Sequence, residues 1–84
     1  MADLKGLIEA VARALADQPD AVSVRESERR GATVYELQVA SGDLGRVIGR
    51  QGRTAAALRT LLSSAAEDDD LRVSLDIRDQ TGRS

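Results

Sequence analysis

The stretch Val47-Ile48-Gly49-Arg50-Gln51-Gly52-Arg53 decides how this chain is read. Two glycines bracket two polar residues, an apolar pair precedes them, and a basic residue follows. Glycine carries no Cβ, so another backbone can approach it closely. A helix beginning just after the loop aims its unpaired N–H groups and its positive dipole end back into it. Arg46, Arg50, Arg53 and Arg59 surround the same place. A loop of this kind suits a phosphodiester backbone.

The glycine spacing carries no weight alone. Seven glycines in 84 residues lead to about 0.6 chance matches to G-x-x-G. A second match, Gly42-Asp43-Leu44-Gly45, is present. It holds an acid, and Asp43 is placed to cap the following helix, so this match reads as a turn. The later match gains weight from its flanking elements and charges.

Eighty-four residues make one domain with one modest core. The domain is expected over residues 1–78, with 79–84 as a short flexible tail. No apolar run reaches membrane-spanning length and no signal-peptide pattern is present. The absence of cysteine removes a disulfide framework and fits a reducing, cytoplasmic setting. The net charge of −2 hides an uneven distribution. From Ser41 to Leu62 there are four arginines and one acid, a net of +3, while the remainder is −5. Local fields steer ligands more than totals do. Eleven of the twelve basic residues are arginine, so the preference for Arg in the loop carries no information of its own.

Leu4, Leu7, Ile8, Val11 and Leu15 share a helical stripe, with Asp3 placed as its N-cap. They predict a helix from about Asp3 to Asp17, ended by Pro19. Gly6, Ala10 and Ala14 form a small-residue stripe that reads first as neutral surface and second as a helix contact. Val22 and Val24 alternate with polar residues, which predicts a strand over Ala21–Ser27. Glu28–Gly31 reads as a hairpin turn, and Thr33–Val39 as the antiparallel return strand. Ser41-Gly42 breaks that strand. A short helix over Asp43–Ile48, the glycine loop, and a longer helix over Thr54–Ala66 follow. Glu67–Asp70 ends that helix, and Leu71, Val73, Leu75 and Ile77 mark a third strand. The order α-β-β-α-α-β, with apolar faces throughout, implies an α+β sandwich of helices on one face of a sheet.

That order, with VIGRQGR between the second and third helices, resembles the type II KH domain of bacteria. Pro19-Asp20, Val39-Ala40, Asp43 through Thr54 and Leu58-Arg59-Thr60 resemble in particular the small single-domain KhpA-like RNA-binding family. The resemblance covers Leu4 to Ile77. It implies three helices on one face of a three-stranded mixed sheet. In that sheet strand 1 is central, strand 2 is antiparallel to it and strand 3 parallel to it. It also implies binding of single-stranded RNA, self-association as a homodimer, and pairing with a larger KhpB (Jag)-type KH partner. A role as RNA chaperone or post-transcriptional regulator goes with it. The chain departs from the family in having Arg50 where lysine is frequent, and in the acidic Glu67–Asp70 ahead of strand 3.

On this reading Gly49 and Gly52 let RNA lie against the loop, and Arg50 and Gln51 offer backbone N–H groups and side-chain contacts to phosphate. Arg46 and Arg53 add attraction. Arg59 is either part of this field or a solvated helix residue. Of Val47 and Ile48, at least one belongs to the core. The other, with Leu44 and a strand 2 residue, forms an apolar floor for bases. Aspartates at both Gly49 and Gly52 are expected to block RNA while the fold largely survives. The alternative reading is a protein-interaction subunit, a KH scaffold with little direct RNA contact.

Tyr35 is the only aromatic residue, which excludes an aromatic stacking platform. Without His or Cys the usual general base, thiol nucleophile and most zinc sites are missing. Ser63-Ser64 has no partner base, Glu67–Asp70 lacks calcium-loop spacing, and no Walker lysine follows the glycines. No enzymatic activity, cofactor, metal, small-molecule substrate or membrane partner is expected.

Overall fold

The computed structural model describes residues 4–68 and 72–81, the side chains of 66–68 excepted. Helix α1 spans Leu4–Leu15, β1 Ser23–Arg29 and β2 Ala32–Val39. Helix α2 spans Leu44–Ile48, α3 Arg53–Asp68 and β3 Val73–Asp79. This is the α-β-β-α-α-β order of an α+β fold. The expected Asp3 cap, the Leu71 start of the last strand and Gly82–Ser84 of the expected tail lie outside the described residues.

The strand order corrects one expectation. The sheet runs β1-β2-β3, so β2 is central, antiparallel to β1 and parallel to β3. The burial patterns explain why. In β1 only Val24 is buried, and four of its seven residues are charged. A central position would bury those charges on a strand better suited to a protected edge. Strand β2 buries Val34, Tyr35, Leu37 and Val39. The α2–α3 connection is long enough to return the chain for a parallel pairing with β2.

Side chains alternate across each strand, and the register makes the faces agree. Val24 stands beside Leu37, and Leu37 beside Ile77. These residues, with Tyr35 and Leu75, meet Ile8 and Ala12 of α1, Val47 of α2, and Ala55, Leu58 and Leu62 of α3 in one core. The opposite face carries Arg25 beside Glu36 and Glu36 beside Asp76. Helix α1 is turned slightly from its expected stripe. Ile8 and Ala12 are its fully buried residues, while Leu7 and Leu15 sit at the rim. Ala12 lets the helix backbone approach the sheet where a larger residue would hold it off. Ala10 and Ala14 of the small-residue stripe face outward.

The chain leaves α1 two residues earlier than Pro19 alone requires. The backbone N–H groups of Asp17 and Gln18 donate to the Asp43 carboxylate, at 3.1 and 2.9 Å, and so leave the helical ladder. Pro19 then opens a single 3₁₀ turn, a first-turn position where its missing N–H costs nothing. The β1–β2 hairpin closes through two residues, Arg30 and Gly31, with φ of 52° and 80°. This is the primed turn that matches strand twist. Strand β1 therefore continues through Arg29, beyond its expected end. Strand β3 runs to Asp79, whose carboxylate accepts from the Thr81 N–H at 2.9 Å.

Candidate nucleic-acid interface

Asp43 does not cap α2. Its side chain makes no bond to that helix's first turn. It is buried, 2% exposed, and is committed to Asp17 and Gln18. A carboxylate with two such donors is well satisfied, and it fastens the end of α1 to the start of α2. Arg46 joins the same group, 3.2 Å from Asp17 and 3.8 Å from Asp43. Its charge, read from sequence as attraction for phosphate, is matched by two carboxylates. Of the segment Gly42–Gly45, Gly42 and Asp43 lie in a 3₁₀ turn over Ser41–Asp43, while Leu44 and Gly45 open α2.

Helix α2 ends where the Gly49 N–H donates to the Gly45 carbonyl at 3.0 Å. Gly49 has φ 85° and ψ 167°, a combination essentially restricted to glycine. A Cβ there would stand 2.9 Å from the Thr54 Cβ and 3.0 Å from the Thr54 nitrogen. Gly49 is therefore required by the turn itself, as the close approach of loop to α3. Gly52 differs. Its φ is 72°, but an added Cβ would meet nothing within 4 Å. Between them Gln51 adopts φ 56° and ψ 25°, and the Gly52 N–H donates to the Gly49 carbonyl at 3.0 Å. The result is one tight 3₁₀ turn, Arg50–Gly52, that leads directly into the sixteen-residue α3.

Arg50, Gln51 and Arg53 are exposed, and Ile48, Gly49 and Gly52 are half-buried. Neither Arg50 nor Arg53 has an ion pair among the described residues. The structure therefore brings two uncompensated guanidinium groups to the turn. It separates Val47 from them: Val47 is fully buried in the core. As an RNA-contact residue Val47 is a correction, because no part of its surface is open to a ligand. Ile48, partly buried against the same core, is the member of the pair with surface left over.

Arg59 is tied in place on α3. Its guanidinium donates to the Leu75 carbonyl of β3 at 3.3 Å. With Leu62, Ser63, Val73 and Ser74 it lines a groove between α3 and the outer edge of β3. No local pattern marks Asp17 or Thr54 as supports of the loop. Asp17 is recognised only once Arg46 has been placed beside it, and Thr54 only once the φ of Gly49 is known. No helix among the described residues is long and apolar enough to cross a membrane.

A family model described as "KhpA/KhpB, KH domain" matches residues 5–77. Over 73 residues the chain is 49% identical to the "RNA-binding protein KhpA" of Treponema pallidum, covering 87% of this chain and 91% of that protein. Its identity to the protein of the same name in Halalkalibacterium halodurans is 47% over 76 residues, 90% of this chain and all of that one. The corresponding protein of Chlamydia trachomatis is 40% identical over 77 residues, 92% of this chain and 99% of that one.

Proposed function

Because the chain belongs to the KhpA/KhpB family of KH domains, we propose that it binds single-stranded RNA by clamping the backbone against the Gly49–Gly52 turn. The observation that carries this reading is the pair Arg50 and Arg53, exposed and without carboxylate partners among the described residues. They flank Gly52, where nothing stands within 4 Å of an added Cβ. Modules of this type hold about four nucleotides by their backbone, and the N-terminal N–H groups of α3 favour phosphate. Arg50, Gln51 and Arg53 supply the polar contacts, Ile48 the apolar one, and Gly52 the close approach. Arg46 positions α2 through Asp17 and Asp43 and serves phosphate only weakly.

Such a small clamp binds weakly alone, and two domains on one strand gain by effective concentration. A homodimer, or a pair with another KH protein, acting as RNA chaperone or regulator is the matching assembly. Leu61 on α3, 54% exposed, supplies an apolar contact for it. The experiment that tests the function measures affinity for a single-stranded tetranucleotide and for an RNA duplex across a salt series. Single-strand preference with a slope of log K against log salt of about −1.4, two phosphate contacts at about −0.7 each, supports the clamp. Preference for duplex, or a flat response, overturns it.

A further inference from the structure

The sheet face away from the helices carries charge that the loop reading does not use. Strand alternation puts Arg25, Ser27 and Arg29 of β1 on this face, Ala32, Val34 and Glu36 of β2, and Ser74, Asp76 and Arg78 of β3. Arg72 immediately precedes β3. Its carbonyl accepts from the Thr33 N–H at 2.8 Å, and it lies beside Ala32, as the Thr33–Val73 register requires. The two carboxylates of the face, Glu36 and Asp76, are neighbours in one row. Arg78 lies 4.0 Å from the first and 3.8 Å from the second. Charge on that half of the face is compensated.

The half nearer the hairpin is different. Arg29 pairs with Ala32, and Arg72 flanks Ala32 from the other side. Two guanidinium groups therefore rise from backbone positions about 10 Å apart, two strand spacings, across a residue with only a methyl group. Ser27 and Ser74 stand in the next row, on either side of Val34. Arg30 occupies the adjoining turn with φ 52°, a conformation that hairpin turns ordinarily give to Asn, Asp or Gly. Arg29, Arg30 and Arg72 are exposed and have no ion pair among the described residues. Glu26 and Glu28 alternate to the other face. Among the described residues, this corner thus gathers three positive charges in a chain of net charge −2, with hydroxyls beside it.

We infer that this corner, Arg29, Arg30 and Arg72 around Ala32, is a second surface for the phosphodiester backbone of RNA, on the face of the sheet opposite the helices. The inference rests on the RNA-binding reading above and extends it. One domain then holds two segments of RNA, one on the glycine turn and one across the sheet. Guanidinium forks match phosphate oxygens in pairs, and the Ala32 side chain between them carries no charged or polar group of its own.

The test compares a tetranucleotide with a single-stranded oligouridylate long enough to pass round the domain, whose extents are 35 × 21 × 21 Å. The variant is Arg29→Glu with Arg72→Glu. Lys5→Glu with Arg13→Glu, exposed on α1, is the control of equal charge, and thermal melts verify folding. Relative to the control, the sheet variant should bind the tetranucleotide unchanged and the long RNA about tenfold more weakly, with a salt slope shallower by about 1.4. Long-RNA affinity equal to the control's overturns the second surface while leaving the glycine turn intact. An equal loss for the tetranucleotide overturns it too, by placing these arginines in the first site. Lost self-association with unchanged RNA affinity assigns the corner to an acidic protein segment instead. Absence of tetranucleotide binding by the unmodified protein removes the clamp reading and this surface with it.

Discussion

Gly49 and Thr54 approach each other so closely that a methyl group on Gly49 would stand 2.9 Å from the Thr54 Cβ and 3.0 Å from its backbone nitrogen. The two glycines of the turn therefore hold different offices. Gly49 is demanded by the protein's own packing and by its φ of 85°, whereas Gly52 is demanded by φ alone. Aspartate at both positions is consequently no clean test of binding, and the expectation that both would be tolerated is corrected at Gly49.

Gly49→Ala should cost roughly 3 kcal/mol, combining a forbidden backbone conformation with overpacking against Thr54. Gly52→Asp should cost only about 1 kcal/mol, the ordinary penalty for a left-handed residue. It should still weaken RNA binding at least tenfold by placing a carboxylate where the proposed clamp holds phosphate. Urea melts and titrations on both variants check the pair. Equal stability losses would contradict the division of roles.

Asp43→Ala should destabilise the domain by about 2–4 kcal/mol, since two backbone donors lose their buried acceptor. Asp43→Asn, which keeps one oxygen, should recover part of this. Denaturant midpoints measure it, and an Asp43→Ala change within 0.5 kcal/mol of the parent would refute the role of Asp43 as a clasp between α1 and α2.

Arg50→Ala with Arg53→Ala should flatten the salt dependence of RNA binding by about 1.4 in slope, whereas Arg46→Ala should change it by about 0.3 or less. Asp17→Asn releases Arg46 from an exposed partner and should tighten binding by no more than about threefold, the scale of a surface ion pair. Parallel salt titrations of the four proteins separate these outcomes.

Val47→Ala should cost about 2 kcal/mol of stability through lost burial and a residual cavity, with RNA affinity of the folded fraction unchanged. Ile48→Ala should do the reverse in emphasis: about 1 kcal/mol of stability and a measurable loss of affinity. Thermal melts paired with binding at a temperature where both variants are folded decide the matter.

What could be read in advance follows the range of the interactions. The alternation Thr33-Tyr35-Leu37-Val39 and the alanine- and leucine-rich run of α3 are local patterns, and both elements form where those patterns lie. The ends of elements differ from the sequence expectation where a distant group intervenes. Helix α1 stops early because Asp43, 26 residues from Asp17, takes its N–H. The central place of β2 departs from what the resemblance implies, although the four charges of β1 suit an edge strand. A strand's neighbours depend on what the α2–α3 connection returns, and no alternation within β1 or β3 records that. At the glycine loop, charge and spacing pointed to Arg50 and Arg53. The neutralisation of Arg46 by Asp17 is a three-dimensional fact with no signature in either segment.

The parallel pairing of β2 with β3 also governs when the turn can acquire its shape. Residues 49–52 lie on the crossover between those strands, so they are synthesised before the strand against which α3 rests. Until Val73–Asp79 docks beside β2, Arg59 has no Leu75 carbonyl to hold and α3 lacks one wall of its seat. Pairings that close such long stretches of chain come late and slowly. The proposed clamp is thus armed from its downstream side. A nascent polypeptide carries the glycines well before the turn they form is held in place, which comes with the last strand of the sheet.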